Sequence, residues 1–285
     1  MQSCIVNGGS NGITLLPEPF QPIIIILAED YPGYMVKMIC TNIYVPLRTG
    51  PSHRSEMGSQ MLAGERYEVI DRAGSWNKVR LMYDGYAGWI DSDHLSEYSH
   101  EEESESLILG KDTPVSLADG SIITMPAGSE IYNPDIRSGV FKVGNIEIKA
   151  MGEIEVAPLK EQMTETAKRF LGTPYLWGGR TSMGIDCSGL VQTVYKVHGI
   201  SIPRDSFMQA EKGVTVNLLS DALPGDLMFF DNAQGNITHV GMYFEEGVII
   251  HSSGKVRLDR VDHQGIFRRD EKRYTHRLRL IKRYK

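Results

Sequence analysis

Of the residues able to do covalent chemistry, Cys187 stands in the most suggestive place. It lies in Gly184-Ile185-Asp186-Cys187-Ser188-Gly189-Leu190, where a glycine-rich loop enters a helix-like pattern. A cysteine at a helix N-terminus feels the positive end of the macrodipole, which favours the thiolate and its nucleophilicity. The plainer alternative is a small buried side chain, since free cysteine is among the most buried residue types. A thiol nucleophile also needs a base that later returns the proton to a leaving amine. Of the eight histidines, His198 lies about 16 Å along the same helix and is out of reach. His239 and His251 fit better. They fall in strand-like segments, 238–244 and 247–252, joined by a turn at Glu245-Glu246-Gly247. A hairpin centred near residue 245 sets them opposite or diagonal, with Cβ atoms roughly 5 Å apart. That spacing suits a base and its orienting partner. An ordinary hairpin with two half-exposed histidines is the bland alternative. A zinc pair fits less well, because no third ligand is near in sequence.

The elements that must position these residues follow from the texture of the chain. Residues 1–34 form a Gly/Asn/Pro-rich extension holding the longest apolar stretch, Ile23–Ala28, which reads as a buried strand and lacks the flanks of a secretory signal. From 35 to 100, short strands punctuated by Asp-Gly and Ala-Gly turns predict a small all-β barrel. The acidic run from His100 to Glu105 reads as a linker, and residues 105–158 show a second, less regular β-like set. After Pro158 the period changes. Helices are expected over 159–171 and 187–197, the second with Leu190, Val191, Val194 and Val197 on one face. Strands are expected at 226–230, 238–244, 247–252 and 277–281, which makes residues 159–285 an α+β domain.

Composition sets the outer bounds. The 285 residues are 41% hydrophobic, enough for real cores and too many for wholesale disorder. Three cysteines, Cys4, Cys40 and Cys187, cannot build a disulfide scaffold. A net charge of −6 argues against a general nucleic-acid binder. No apolar run approaches the roughly 18 residues of a membrane span. Cytoplasmic placement is expected where residue 1 is the natural start, periplasmic or secreted placement where a signal has been removed. Charge is uneven, with 12 Lys/Arg against 4 Asp/Glu over residues 255–285. A basic patch for an anionic partner is one reading of that tail, and a solvated edge strand is the favoured one.

The motifs GTPYLWGGRTSMGIDCSGLVQTVYKVHGISIPRDS, LPGDLMFF and ITHVGMYFEEGVIIHSSG resemble the NlpC-type family of bacterial cell-wall cysteine peptidases over about residues 160–285. SEMGSQMLAGERYEV, GSWNKV and DGYAGWI resemble bacterial SH3-like barrels. Two such barrels before an NlpC-type domain resemble the γ-D-glutamyl-L-diamino-acid endopeptidase subgroup. The fold implied is two small all-β SH3-like barrels followed by an α+β papain-like cysteine peptidase domain. The resemblance implies Cys187 as nucleophile, His239 as base and His251 as its orienting partner. By the same match Tyr175 lines the nucleophile's site, Asp186 and Ser188 contact the dipeptide, with Asp186 facing an ammonium, and Ser206 meets the D-glutamate carboxylate. Glu56 and Tyr86 are the first-barrel candidates, with Glu65 competing with Glu56. The implied substrate is a murein peptide, L-Ala-γ-D-Glu-diamino acid with a free L-Ala amine, cleaved to release L-Ala-D-Glu. No cofactor, metal, nucleic acid or membrane partner is implied, and the oligomeric state is not specified. Two rivals remain: an envelope hydrolase or amidase acting on intact peptidoglycan, and a non-catalytic cell-wall binding protein.

Overall fold

The turn-punctuated strands of the first half fold into two separate six-stranded antiparallel sheets with the same strand order. In the computed structural model, which describes residues 38–97 and 105–285, the first holds Met38–Ile39, Tyr44–Arg48, Met57–Leu62, Arg66–Ala73, Trp76–Leu81 and Ala87–Asp91. The second holds Ser106–Ile108, Thr113–Ser116, Ile122–Met125, Glu130–Asp135, Val140–Val143 and Ile146–Ala150. In chain order within each set, both sheets run first-fourth-fifth-sixth-second-third. The irregular second β-like set is therefore an architectural duplicate of the first. Each encloses its own apolar core, Val45, Leu47, Met61, Val79 and Ile90 in one and Val115, Ile131, Phe141 and Ile148 in the other. Cys4, the Ile23–Ala28 strand and residues 100–104 of the acidic run lie outside the described residues.

The third part packs helices α1 (Met163–Lys168), α2 (Cys187–Val197) and α3 (Ser206–Ala210) against a seven-stranded antiparallel sheet. None of the described helices is long and apolar enough to cross a membrane. Helix α1 is shorter than the expected 159–171. Leu159 enters extended, its N–H donating to Val197 O at 2.9 Å, and the helix closes in short turns such as Phe170 N to Ala167 O at 3.1 Å. Helix α2 has the expected bounds and is buried on every side. Leu190, Val191 and Val194 pack into the core with Phe229, Val240 and Ile250 of the sheet. Its polar residues, Gln192 and Lys196, turn the other way, to the barrels.

The C-terminal strand corrects one expectation. Residues 273–283 do not form an edge strand: they pair with Val214–Val216 and Leu227–Asp231, and additionally with Gly265–Arg268, so the sheet closes on itself. Alternation reports which face of a strand is solvated, not whether its backbone has neighbours on both sides. The outward Arg277 pairs with Asp231 at 2.7 Å, which accounts for part of the basic tail without an anionic partner.

One largely buried ion cluster ties the three parts together. Glu65 of the first barrel takes two bonds from Arg180, at 2.9 and 2.8 Å, and one from Lys196 of α2 at 2.7 Å. Lys196 also reaches Glu130 of the second barrel at 3.4 Å. Burial alone pushes the Glu65 carboxyl up, but Arg180 and Lys196 outweigh it and hold it at about 2, below the ordinary 4.5. The contribution to stability is therefore complete above about pH 4.5 and is lost as pH falls toward 2. Glu65→Ala leaves buried Arg180 without its carboxylate and Lys196 with only the longer contact to Glu130, and is expected to cost about 3–5 kcal/mol, read as a lowered urea midpoint. An unmoved midpoint would show that the cluster contributes no net stability.

Candidate active site

The loop into α2 is built by Asp186. As the N-cap it accepts from Gly189 N at 2.6 Å, and its other oxygen takes Gly178 N at 2.8 Å. Arg204 binds both oxygens, at 3.1 and 2.6 Å, and Ser188 Oγ donates at 3.3 Å. Asp186 is thus saturated by donors, and an ammonium could reach it only by displacing one of them. Arg204 also holds Ser188 Oγ at 2.8 Å and, across the domain boundary, Ser59 Oγ at 3.0 Å. Sequence reasoning missed this arginine, although it stands two residues before Ser206 in Ile202-Pro203-Arg204-Asp205-Ser206.

Cys187 begins α2 and is 6% exposed. Its thiol meets the backbone of Val240, the residue after His239. Burial pushes the thiol up to about 12 and the Asp186 charge adds to this, against weaker lowering by the Val240 and Ser188 backbone and by Arg204. The helix-end effect expected from sequence is therefore outweighed by desolvation. Burial likewise lowers His239, and the neighbouring His251 and His276 push it further down. At neutral pH the pair rests as thiol and neutral imidazole.

His239 and His251 occupy adjacent strands, Ile237–Tyr243 and Val248–Ser253, in diagonal register because Gly241 is the residue opposite His251. Their rings meet, Nε2 of His239 lying 2.8 Å from Nδ1 of His251. Gly241 makes room for this: a Cβ there would stand 2.9 Å from that of His251. His251 is completely buried and continues through Nε2 to Asp259 Oδ2 at 3.0 Å. Ser252 donates to Ile185 O at 2.8 Å, clamping this strand to the loop that precedes Cys187.

The closed sheet adds a third imidazole. His276 stacks on His239 with ring centroids 4.1 Å apart and planes 25° from parallel. Burial, His251 and Arg268 lower it to about 4, so it too is neutral at pH 7. Alternation in the sequence puts His276 on the same face as Leu278, although a bulge turns Leu280 to the opposite face.

The remaining predicted residues divide clearly. Half-buried Tyr175 feels the electrostatics of Cys187 and Asp186, and burial raises its hydroxyl. Tyr86 of the first barrel is half-buried, its hydroxyl raised to about 12 by burial first and by Asp205 next. Asp205 itself is raised by burial and has no side-chain hydrogen bond among the described residues. Ser206 opens α3 half-buried and likewise free of side-chain partners among the described residues. Glu56 is exposed and unpaired among the described residues, next to Met57. The Met57 carbonyl closes on Gly178, where φ is +77° and a Cβ would come within 2.5 Å of that oxygen. Glu65, by contrast, is consumed in the buried ion cluster. No group of three or more His, Cys, Asp or Glu among the described residues is arranged to hold a metal ion.

Residues 172–275 match the NlpC/P60 family and residues 47–95 match the bacterial dipeptidyl-peptidase Sh3 domain. The γ-D-glutamyl-L-lysine dipeptidyl-peptidase of Bacillus cereus is 31% identical over 230 residues, covering 70% of this chain and 68% of that one. The chain belongs to the NlpC/P60 family. Peptidases of the NlpC/P60 family are cysteine-type hydrolases. Dipeptidyl-peptidase 6 of Lysinibacillus sphaericus is 25% identical over 250 residues, covering 77% of this chain and 90% of that one. The crystal structure of an NlpC/P60 protein from Bacillus cereus shares the fold, with a TM-score of 0.75, 24% identity, and coverage of 87% and 99% of the two chains.

An aromatic stack of this kind contributes about 0.5–1.5 kcal/mol. His276→Ala is therefore expected to lower kcat/KM of this NlpC/P60 enzyme about three- to tenfold, while His276→Phe keeps most of it. Equal losses in both variants would count against stacking as the role of this ring.

Proposed function

We propose that the protein is a cysteine peptidase that cuts the γ-D-glutamyl bond of L-Ala-γ-D-Glu-diamino acid murein peptides and releases L-Ala-D-Glu. The observation that carries this is the Cys187 thiol at the backbone beside His239, itself hydrogen-bonded to His251. Support for the bond cleaved comes from the relatives' names, γ-D-glutamyl-L-lysine dipeptidyl-peptidase among them.

In this mechanism His239 removes the thiol proton as Sγ attacks the γ-carbonyl, so no standing thiolate is needed. The Cys187 N–H, in the first turn of α2 where no intrahelical acceptor exists, points donor character at the developing oxyanion. His239 then passes the proton to the departing amine. Water, deprotonated by the same imidazole, opens the thioester, frees L-Ala-D-Glu and restores the thiol. His251 keeps the His239 ring in plane for both transfers. Tyr175 and Ser188 border the nucleophile, and Ser206 is the hydroxyl for the D-glutamate α-carboxylate. Glu56, Tyr86 and Asp205 supply the negative and polar surroundings for the L-Ala ammonium. With Asp186 committed to Arg204, Asp205 is the better-placed carboxylate.

Incubation with L-Ala-γ-D-Glu-diaminopimelate is expected to release L-Ala-D-Glu, and Cys187→Ala to stop it. Release that persists in Cys187→Ala would sink the assignment. Digestion of intact sacculi would instead favour an envelope hydrolase, and binding without cleavage a wall-binding protein. Asp205→Asn is expected to raise KM about tenfold for the free-amine peptide and leave N-acetylated peptide unaffected, since a partly exposed charge pair contributes on the order of 1 kcal/mol. Because burial lowers His239, the acid limb of kcat/KM should fall below the usual imidazole value of about 6.5. A limb above it would mean that another group is the base.

A further inference from the structure

The hydrogen-bond chain that ends beside Cys187 starts at a carboxylate in a third strand. Asp259 lies in Lys255–Val261 and is 7% exposed. The register sets Arg257 opposite His251, so Asp259 meets His251 on the diagonal, as His251 meets His239. Arg257 pairs with Asp259, Nη2 donating to Oδ1 at 2.9 Å while Nε stands 2.6 Å from Oδ2 without a hydrogen bond. Burial pushes this carboxyl up, but the bonds from His251 and Arg257 prevail and lower it, so it is ionised at neutral pH.

An ionised carboxylate only accepts hydrogen bonds. Nε2 of His251, 3.0 Å away, must then carry its proton. That leaves a lone pair on Nδ1 of His251, which must accept from Nε2–H of His239 across 2.8 Å. The lone pair of His239 is thereby confined to Nδ1, the ring nitrogen that His251 does not use. Two neutral imidazoles on their own have no such preference, because an N–H···N bond between them runs equally well in either sense. In the reverse sense Nδ1 of His239 carries the proton and the ring cannot act as a base.

We propose that Asp259, clamped by Arg257, is a positioning residue that fixes the direction of the proton chain through His251 and keeps His239 ready to accept a proton. The proposal rests on the reading of Cys187 as nucleophile and His239 as base.

Asp259→Asn is the decisive variant, because it keeps the shape and changes the sense of the chain. Nη2 of Arg257, which donates to Oδ1, holds the amide oxygen there, so the amide NH2 takes the Oδ2 position facing Nε2 of His251 and favours the reverse order. Nitrogen-resolved NMR of the imidazoles is expected to show wild-type His239 and His251 both protonated on Nε2, and both protonated on Nδ1 in Asp259→Asn. The kcat is expected to fall about 100-fold or more, KM to stay within about twofold, and the unfolding midpoint to move little. A purely structural role for Asp259 would shift the midpoint and leave the tautomers alone. Wild-type spectra with the proton on Nδ1 of either ring overturn the proposal, even where the variant does not fold. So does a variant that retains wild-type kcat. A wild-type protein with the expected proton order that cleaves no murein peptide overturns the functional reading and leaves this inference standing.

Discussion

The contact on which the rest depends is the carboxylate of Glu65 between Arg180 and Lys196. It is supplied by the first barrel, and both cations belong to the peptidase domain. Arg180 ends the Tyr175–Arg180 loop, and Lys196 lies in the last turn of α2. The same carboxylate therefore anchors the loop that borders Cys187 and the helix that carries it. Such an arrangement is intolerant of partial assembly, since a buried charge without its partner costs more than the pair contributes. Domain docking and the placement of the loop and helix at the site therefore share one contact. Arg180 deepens the dependence by giving its backbone N–H to Gln60 Oε1 at 2.7 Å and its Nη1 to the Gln60 carbonyl at 2.7 Å.

Burial of α2 on every side has a direct chemical result. A nucleophile at the end of an exposed helix would use the macrodipole to hold a thiolate. Here both groups are buried, the thiol and His239 rest uncharged, and proton transfer must accompany attack. Direction then matters more than resting charge. It comes from three adjacent strands whose diagonal pairs, His239 with His251 and His251 with Asp259, make one line of hydrogen bonds. The closure of the sheet brings His276 against the outermost of these rings.

Much of this was legible in the chain. Helix α2 was readable to its bounds because the capping aspartate, the 3.6-residue apolar period and the terminal glycine agree. That the two histidines face each other across a hairpin, opposite or diagonal, was readable because a tight turn constrains hairpin register, and the strand pairing decided for the diagonal. Less legible was the second barrel, whose strands are short and half exposed, yet it repeats the strand order of the first. The C-terminal strand misled, because an alternating pattern describes two faces and is silent about hydrogen-bonded neighbours.

By itself the sequence determined the local features: the helix that begins with Cys187, the hairpin bearing His239 and His251, and the barrels ahead of them. These follow from periodicity, turn chemistry and capping, which act over a few residues. Tertiary structure alone decided that Glu65 is an interdomain anchor and Glu56 an exposed acid. It also decided that Arg204 occupies Asp186, and that Asp259 and His276 complete the surroundings of the histidines. Each of those is a contact between segments far apart in the chain or between strands whose pairing no local pattern encodes. Charge and hydrogen-bonding capacity are properties of a residue, but whether they are spent or free depends on what the fold packs against it.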